Sequence, residues 1–174
     1  MPGNIFAYVQ QIQMLVFFSG YPLVYYLIQF LSRIKSLKNV MRESLISILP
    51  FAYALMGTLY IGLELKNLYH GYNLENVSDR IQEPYLFIWA FLSILFWIPA
   101  VSRRPILSVL HSLVFFIIIV KDLFLQIAGY SHDRNILTND MKVYTASVIL
   151  NLATFVLLVC LYYLLAFRKK NSKL

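Results

Sequence analysis

The chain alternates between long apolar stretches and short polar loops, and no stretch shows the period of a strand. Read in order, the apolar stretches run over about 5–31, 45–63, 82–101, 105–128 and 143–167. A bilayer span needs ~20 mostly apolar residues, and each stretch meets or approaches that length. Lipid offers no hydrogen-bond partners, so each stretch must satisfy its own backbone and is read as an α-helix. The expected fold is therefore an all-α, polytopic membrane bundle of five helices, a single integral-membrane domain over 1–174. Counted from Tyr85 to Val101 the third stretch is the shortest, and it reaches spanning length only by extending back to about Gln82. It is joined to the fourth by Ser102-Arg103-Arg104-Pro105, a tight helical hairpin in which Pro105 suits the first turn of the next helix.

Composition agrees with this reading. Hydrophobic residues make up 60% of the 174, charged residues only 13%, and mean hydropathy is +0.68. Soluble domains are nearer a quarter charged. The 13 Tyr and 13 Phe also fit a membrane protein, where Tyr favours the interfaces. Cys160 is the only cysteine, so no intrachain disulfide forms and no cysteine metal spacing exists.

Charge sets the expected orientation. Arg33, Lys35, Lys38 and Arg42 lie in the first loop, Arg103 and Arg104 in the third, and Arg168, Lys169, Lys170 and Lys173 in the tail. The other side carries only Lys66, Arg80, Lys121, Arg134 and Lys142, together with every acid except Glu43. The positive-inside rule then places the N-terminus outside and the C-terminus in the cytoplasm, in a bacterial inner membrane or, alternatively, a eukaryotic endomembrane. Met1 to Gln13 has no basic residue, so the first stretch reads as a retained helix and not a signal peptide. The terminal Ser172-Lys173-Leu174 reads as chance in a Lys-rich tail, not as a peroxisomal address. The sequon Asn76-Val77-Ser78 lies in an outside loop and matters only in a eukaryotic host.

The basic surface Arg33, Lys35, Lys38, Arg42, Arg103 and Arg104 is expected to meet anionic headgroups at the cytoplasmic face, and topogenic charge alone accounts for it. An amphipathic segment over 33–42, with Ile34, Leu37, Val40 and Met41 toward lipid, is the alternative. Because topology explains the net charge of +7, no nucleic-acid partner is expected.

Polar residues at membrane depth are the candidate functional positions. On the fourth helix, Ser108, Ser112, Asp122 and Gln126 fall within about 40° of one line, with His111 at its edge and Lys121 nearly opposite. Such residues face protein or water, so the stripe is either a polar path or, in the favoured reading, a structural set in which His111 donates to a neighbouring helix while Asp122 and a snorkelling Lys121 lie at the outer interface. His111 and Asp122 stand ~16 Å apart along the axis, too far to share a proton. On the fifth helix, Tyr144, Ser147, Asn151 and Thr154 step by 3, 4 and 3 residues, and helix-to-helix bonding is the favoured reading. Ser47, Pro50, Ala54 and Gly57 give the second helix a close-packing face with a kink near Pro50. Pro22, after Ser19-Gly20, is expected to kink the first helix. Tyr85, Trp89, Ser93 and Trp97 form a ridge on the third, read as packing or interface anchors. Lys121 and Asp122 are the awkward point. The fourth helix must either end at Val120, leaving a short span, or carry both charges into the membrane.

The outer loops bring His70, Glu75, Asp79, Glu83, His132, Asp133 and Asp140 to one side. There is no paired-His zinc helix, phosphate loop or nucleophile elbow. Solvated loop residues are the default reading, with no catalytic residue, metal or cofactor expected. Three classes of function follow. The first is a non-enzymatic accessory or effector protein acting by self-association or partner binding, as an oligomeric pore in one form. The second is a proton-linked carrier using the fourth helix, against which stands the lack of an internal repeat. The third is an outward-facing membrane enzyme. In size and span number the chain is similar in broad outline to small membrane accessory proteins of bacterial defence systems.

Overall fold

The computed structural model describes residues 5–34, 39–69, 84–128 and 134–171, with side chains at some helix ends excepted. Among these residues the fold is all helical, without strands. The elements are α1 (Ile5–Phe18), α2 (Tyr21–Ile34), α3 (Asn39–Tyr69), α4 (Pro84–Phe91), a 3-10 segment (Leu92–Trp97), α5 (Pro99–Ser102), α6 (Pro105–Ile127) and α7 (Arg134–Asn171). Four helical stretches among the described residues are long and apolar enough to cross a membrane: Ile12–Arg33, Glu43–Lys66, Pro105–Leu125 and Met141–Leu165.

The third apolar stretch departs from expectation. In place of one helix of spanning length, α-helix gives way to 3-10 helix after Phe91, and the chain breaks at Ile98. Ile98 adopts an extended backbone, φ −76° and ψ 122°, as the residue before Pro99 is sterically driven to do. The uninterrupted apolar helix, Pro84–Trp97, is therefore too short to rank with the four.

The first stretch is also two helices. α1 stops at Phe18 and α2 restarts at Tyr21, across the turn Ser19-Gly20. Pro22 has no N–H to give to the preceding turn, which agrees with the kink expected there. α3, by contrast, continues through Pro50. α6 runs past Lys121 and Asp122 to Ile127, so the helix carries both charges. Lys121 is exposed and Asp122 half-buried.

Aromatic rings define how the helices face one another. Phe17 and Phe18 meet Tyr60 while Tyr21 meets Tyr53, so the first helix pair runs antiparallel to α3. Tyr53 packs on Phe96, and Gly57 sits against Ser93, which sets the third stretch antiparallel to α3. Phe18 stacks on Phe115 at 4.8 Å, and Phe116 meets Tyr144. The core is thus unusually rich in rings, with Phe18, Tyr21, Tyr53, Tyr60 and Phe115 almost wholly enclosed. Rings bury much area with few rotatable bonds and pack at 4.5–7 Å in edge or offset geometry. Gly57 makes one of these contacts close enough, because a β-carbon there would lie 2.8 Å from Ser93 Cβ.

Candidate functional site: a polar seam through the bundle

Two groups of polar side chains meet the aromatic core. The first closes the break between α1 and α2. Gly20 N–H, denied its helical acceptor, donates to Ser147 Oγ at 2.7 Å. Asn151 Nδ2 donates to the Phe17 carbonyl at 3.0 Å and to the Ser147 carbonyl at 2.8 Å. One donor and one acceptor freed by the break, the Gly20 N–H and the Phe17 carbonyl, are thereby satisfied from α7, which matters because an unmet backbone group in hydrocarbon costs several kcal/mol. Gly20 is what lets α7 come so near. A β-carbon on it would lie 2.5 Å from Val148 N and 2.6 Å from Ser147 C. Ser19 satisfies itself by donating its hydroxyl to Leu15 O at 2.6 Å. Asn151 is 2% exposed and its Oδ1 has no partner among the described residues.

The second group centres on His111 of α6. Its Nε2 lies 2.9 Å from the Trp89 carbonyl, and its Nδ1 2.6 Å from Tyr53 Oη. A carbonyl only accepts, so Nε2 bears the proton, and a neutral ring then accepts the Tyr53 hydroxyl at Nδ1. The Trp89 indole N–H donates in return to the His111 carbonyl at 3.0 Å. The two rings stack at 4.8 Å with 6° between their planes. One turn away, Ser108 donates to Pro105 O at 2.6 Å, so its single proton is spent and Tyr21 Oη must donate to it at 2.8 Å.

The residues singled out in sequence therefore divide. Ser108, His111 and Ser112 on α6 and Ser147, Asn151 and Thr154 on α7 are all buried. Ser112 and Thr154 donate within their own helices, to Val109 O and Asn151 O. Asp122 lies beyond this group and half-buried, while the Gln126 side chain lies outside the described residues. Arg33, Arg103 and Arg104 are exposed. Lys35 and Lys38, and the Arg42 side chain, lie outside the described residues, as do His70, Glu75, Asp79, Glu83, His132, Asp133, the Asp140 side chain and the sequon. Among the described residues no three His, Cys, Asp or Glu side chains converge as metal ligands.

Sequence reasoning missed Glu64. It stands at the end of an apolar run and reads as an outer-loop acid, yet it is 6% exposed within Glu43–Lys66. Only its spacing of one turn from Tyr60, a buried hydroxyl, could have marked it.

Arranged this way, the polar side chains act as internal fasteners. Asn151→Leu, which keeps the branched shape but removes the donor, is expected to lower stability by about 2 kcal/mol, since the Phe17 carbonyl is then stranded. Equilibrium unfolding of the detergent-solubilised chain by a denaturing surfactant checks this. Thr145→Val, whose exposed hydroxyl bonds only to Met141 O within α7, should change it little.

The sequence matches no protein-family model, no curated protein and no solved structure.

Proposed function

We propose that this chain is a non-enzymatic membrane accessory or effector protein that acts by associating within the bilayer through α7, either with further copies of itself or with a membrane partner. One observation carries the reading: the lopsided burial of α7. Only 17% of its most apolar window is buried, against 56% for each of the first two candidate spans. Its exposed side presents Ala146, Ile149, Ala153, Val156, Cys160 and Tyr163, at steps of 3, 4, 3, 4 and 3 residues. That is the heptad spacing with which helices pack as a left-handed pair, with small residues at every seventh place to allow close approach.

The proposed topology has five crossings, N-terminus outside and C-terminus cytoplasmic. The antiparallel contacts of the first and third stretches with α3 support it. So does reach: eight α-helical and six 3-10 residues extend about 24 Å, and α5 adds about 6 Å. Together these approach the ~30 Å hydrocarbon core. The exposed Arg33, Arg103 and Arg104 would then meet anionic headgroups on the cytoplasmic side, in a bacterial inner membrane.

An oligomeric pore is the form in which such association would alter permeability, because the interior of one protomer is filled by rings and closed hydrogen bonds. The carrier reading draws on the break in the first span, since discontinuous helices mark many transport sites. The mass of the chain in lipid nanodiscs and ion flux through liposomes test the two. Self-association predicts a multiple of the protomer mass, and a strict monomer excludes it. Flux abolished by Asp122→Asn in a folded, monomeric chain would favour the carrier.

A further inference from the structure

The third apolar stretch holds a feature that its residues do not demand. Leu92–Trp97 is 3-10 helix for six residues, although such runs seldom exceed three or four. Leu92-Ser93-Ile94-Leu95-Phe96-Trp97 contains no Pro or Gly, and Pro99 beyond it withholds only the N–H that Leu95 O would accept, so the run itself can be α-helical. Tertiary contacts brace the observed conformation. At one end Trp89 is locked to His111 by two hydrogen bonds and a stacked ring. In the middle Ser93 sits against Gly57. At the other end the Trp97 indole N–H donates to Thr58 Oγ1 at 2.9 Å.

We infer that Leu92–Trp97 is a two-state element, 3-10 when extended and α-helical when shortened, that adjusts this stretch to the thickness of the bilayer. The geometry fixes what the change would do. A 3-10 residue rises ~2.0 Å and turns ~120°, an α residue ~1.5 Å and ~100°. Over six residues the conversion withdraws the Arg103-Arg104 hairpin by about 3 Å and swings Trp97 by about 120° relative to Trp89. The Trp97–Thr58 bond breaks, whereas the Trp89–His111 lock, upstream of the run, stays. Hydrophobic mismatch acts most strongly on the shortest span, and this is the stretch too short to rank with the other four. The inference rests on the proposal that the stretch lies in the bilayer.

The chain has two Trp, one before the run and one as its last residue, so both positions can be watched in the full-length protein. Fluorine NMR of fluorotryptophan-labelled chain, reconstituted in phosphatidylcholine with myristoleoyl, oleoyl or erucoyl chains, gives one signal for each, assigned with Trp97→Phe. The Trp97 signal should shift or split as the lipid thins, while the Trp89 signal stays. Thr58→Val in erucoyl lipid should move Trp97 toward its thin-bilayer position. A Trp97 signal fixed in all three lipids, or both signals moving together as a rigid body, overturns the inference. A water-soluble paramagnetic agent separates the two failures. Broadening of Trp97 in every lipid overturns the embedded placement as well, whereas a protected but unmoving Trp97 overturns the switch alone.

Discussion

Gly20→Ala should be among the most damaging single substitutions in the described chain, costing about 3 kcal/mol and depleting folded protein in membranes. The added carbon would sit 2.5 Å from Val148 N, 2.6 Å from Ser147 C and 2.8 Å from Val148 Cα. All three are backbone atoms of α7, which no change of rotamer can move aside. The helix must retreat, and overpacking of this kind costs about 1–3 kcal/mol before other losses. Retreat also lengthens the Gly20–Ser147 and Phe17–Asn151 bonds, exposing backbone groups to hydrocarbon. Gly62 supplies the control. A carbon there meets nothing within 4 Å, so Gly62→Ala should be neutral or stabilising by up to about 1 kcal/mol through helix propensity. Denaturation midpoints of the two variants, side by side, separate close approach from any general intolerance of glycine replacement.

His111→Ala should be comparably severe, at about 3–4 kcal/mol. It removes the ring stacked on Trp89 and leaves a void, as large-to-small core changes do. It also strands the Tyr53 hydroxyl, which is fully buried, and uncovers the Trp89 carbonyl. His111→Phe keeps a ring and isolates the polar share, expected at about 1–2 kcal/mol. Paired with Tyr53→Phe it should cost less than the sum of the two single changes, because the shared bond is lost only once. If the losses add, the Tyr53–His111 bond contributes nothing to the fold.

Where the sequence was legible, the reason is periodicity and composition. Four of the five apolar stretches appear as helices of spanning length, and the backbone discontinuity in the first falls where Gly20 and Pro22 announce it. The stripe of Ser147, Asn151 and Thr154 could be read because all three lie on one α7 face. What they bond to could not, since Phe17 is 134 residues from Asn151. The same distance problem hides Tyr53–His111, separated by 58 positions. The 3-10 run was illegible for a different reason. Its residues are ordinary helix and strand formers, and its contacts with Gly57 and Thr58 come from a distant helix. Glu64 misleads because a charge after an apolar run usually marks the end of a span, whereas α3 carries it inside.

Association through α7 is the central functional claim, and the protein contains its own reporter. Cys160, exposed and the only cysteine, lies on the heptad face. Two thiols link only when their Cα atoms approach within about 7 Å. Copper-phenanthroline oxidation of native membranes should therefore trap a disulfide dimer through Cys160. Moving the thiol one residue around the helix, with Cys160→Ser and Leu161→Cys, should abolish it, although Leu161 is 46% exposed. No dimer from the native chain, or equal dimer from both positions, would mean that α7 shows this face to lipid and not to a second copy.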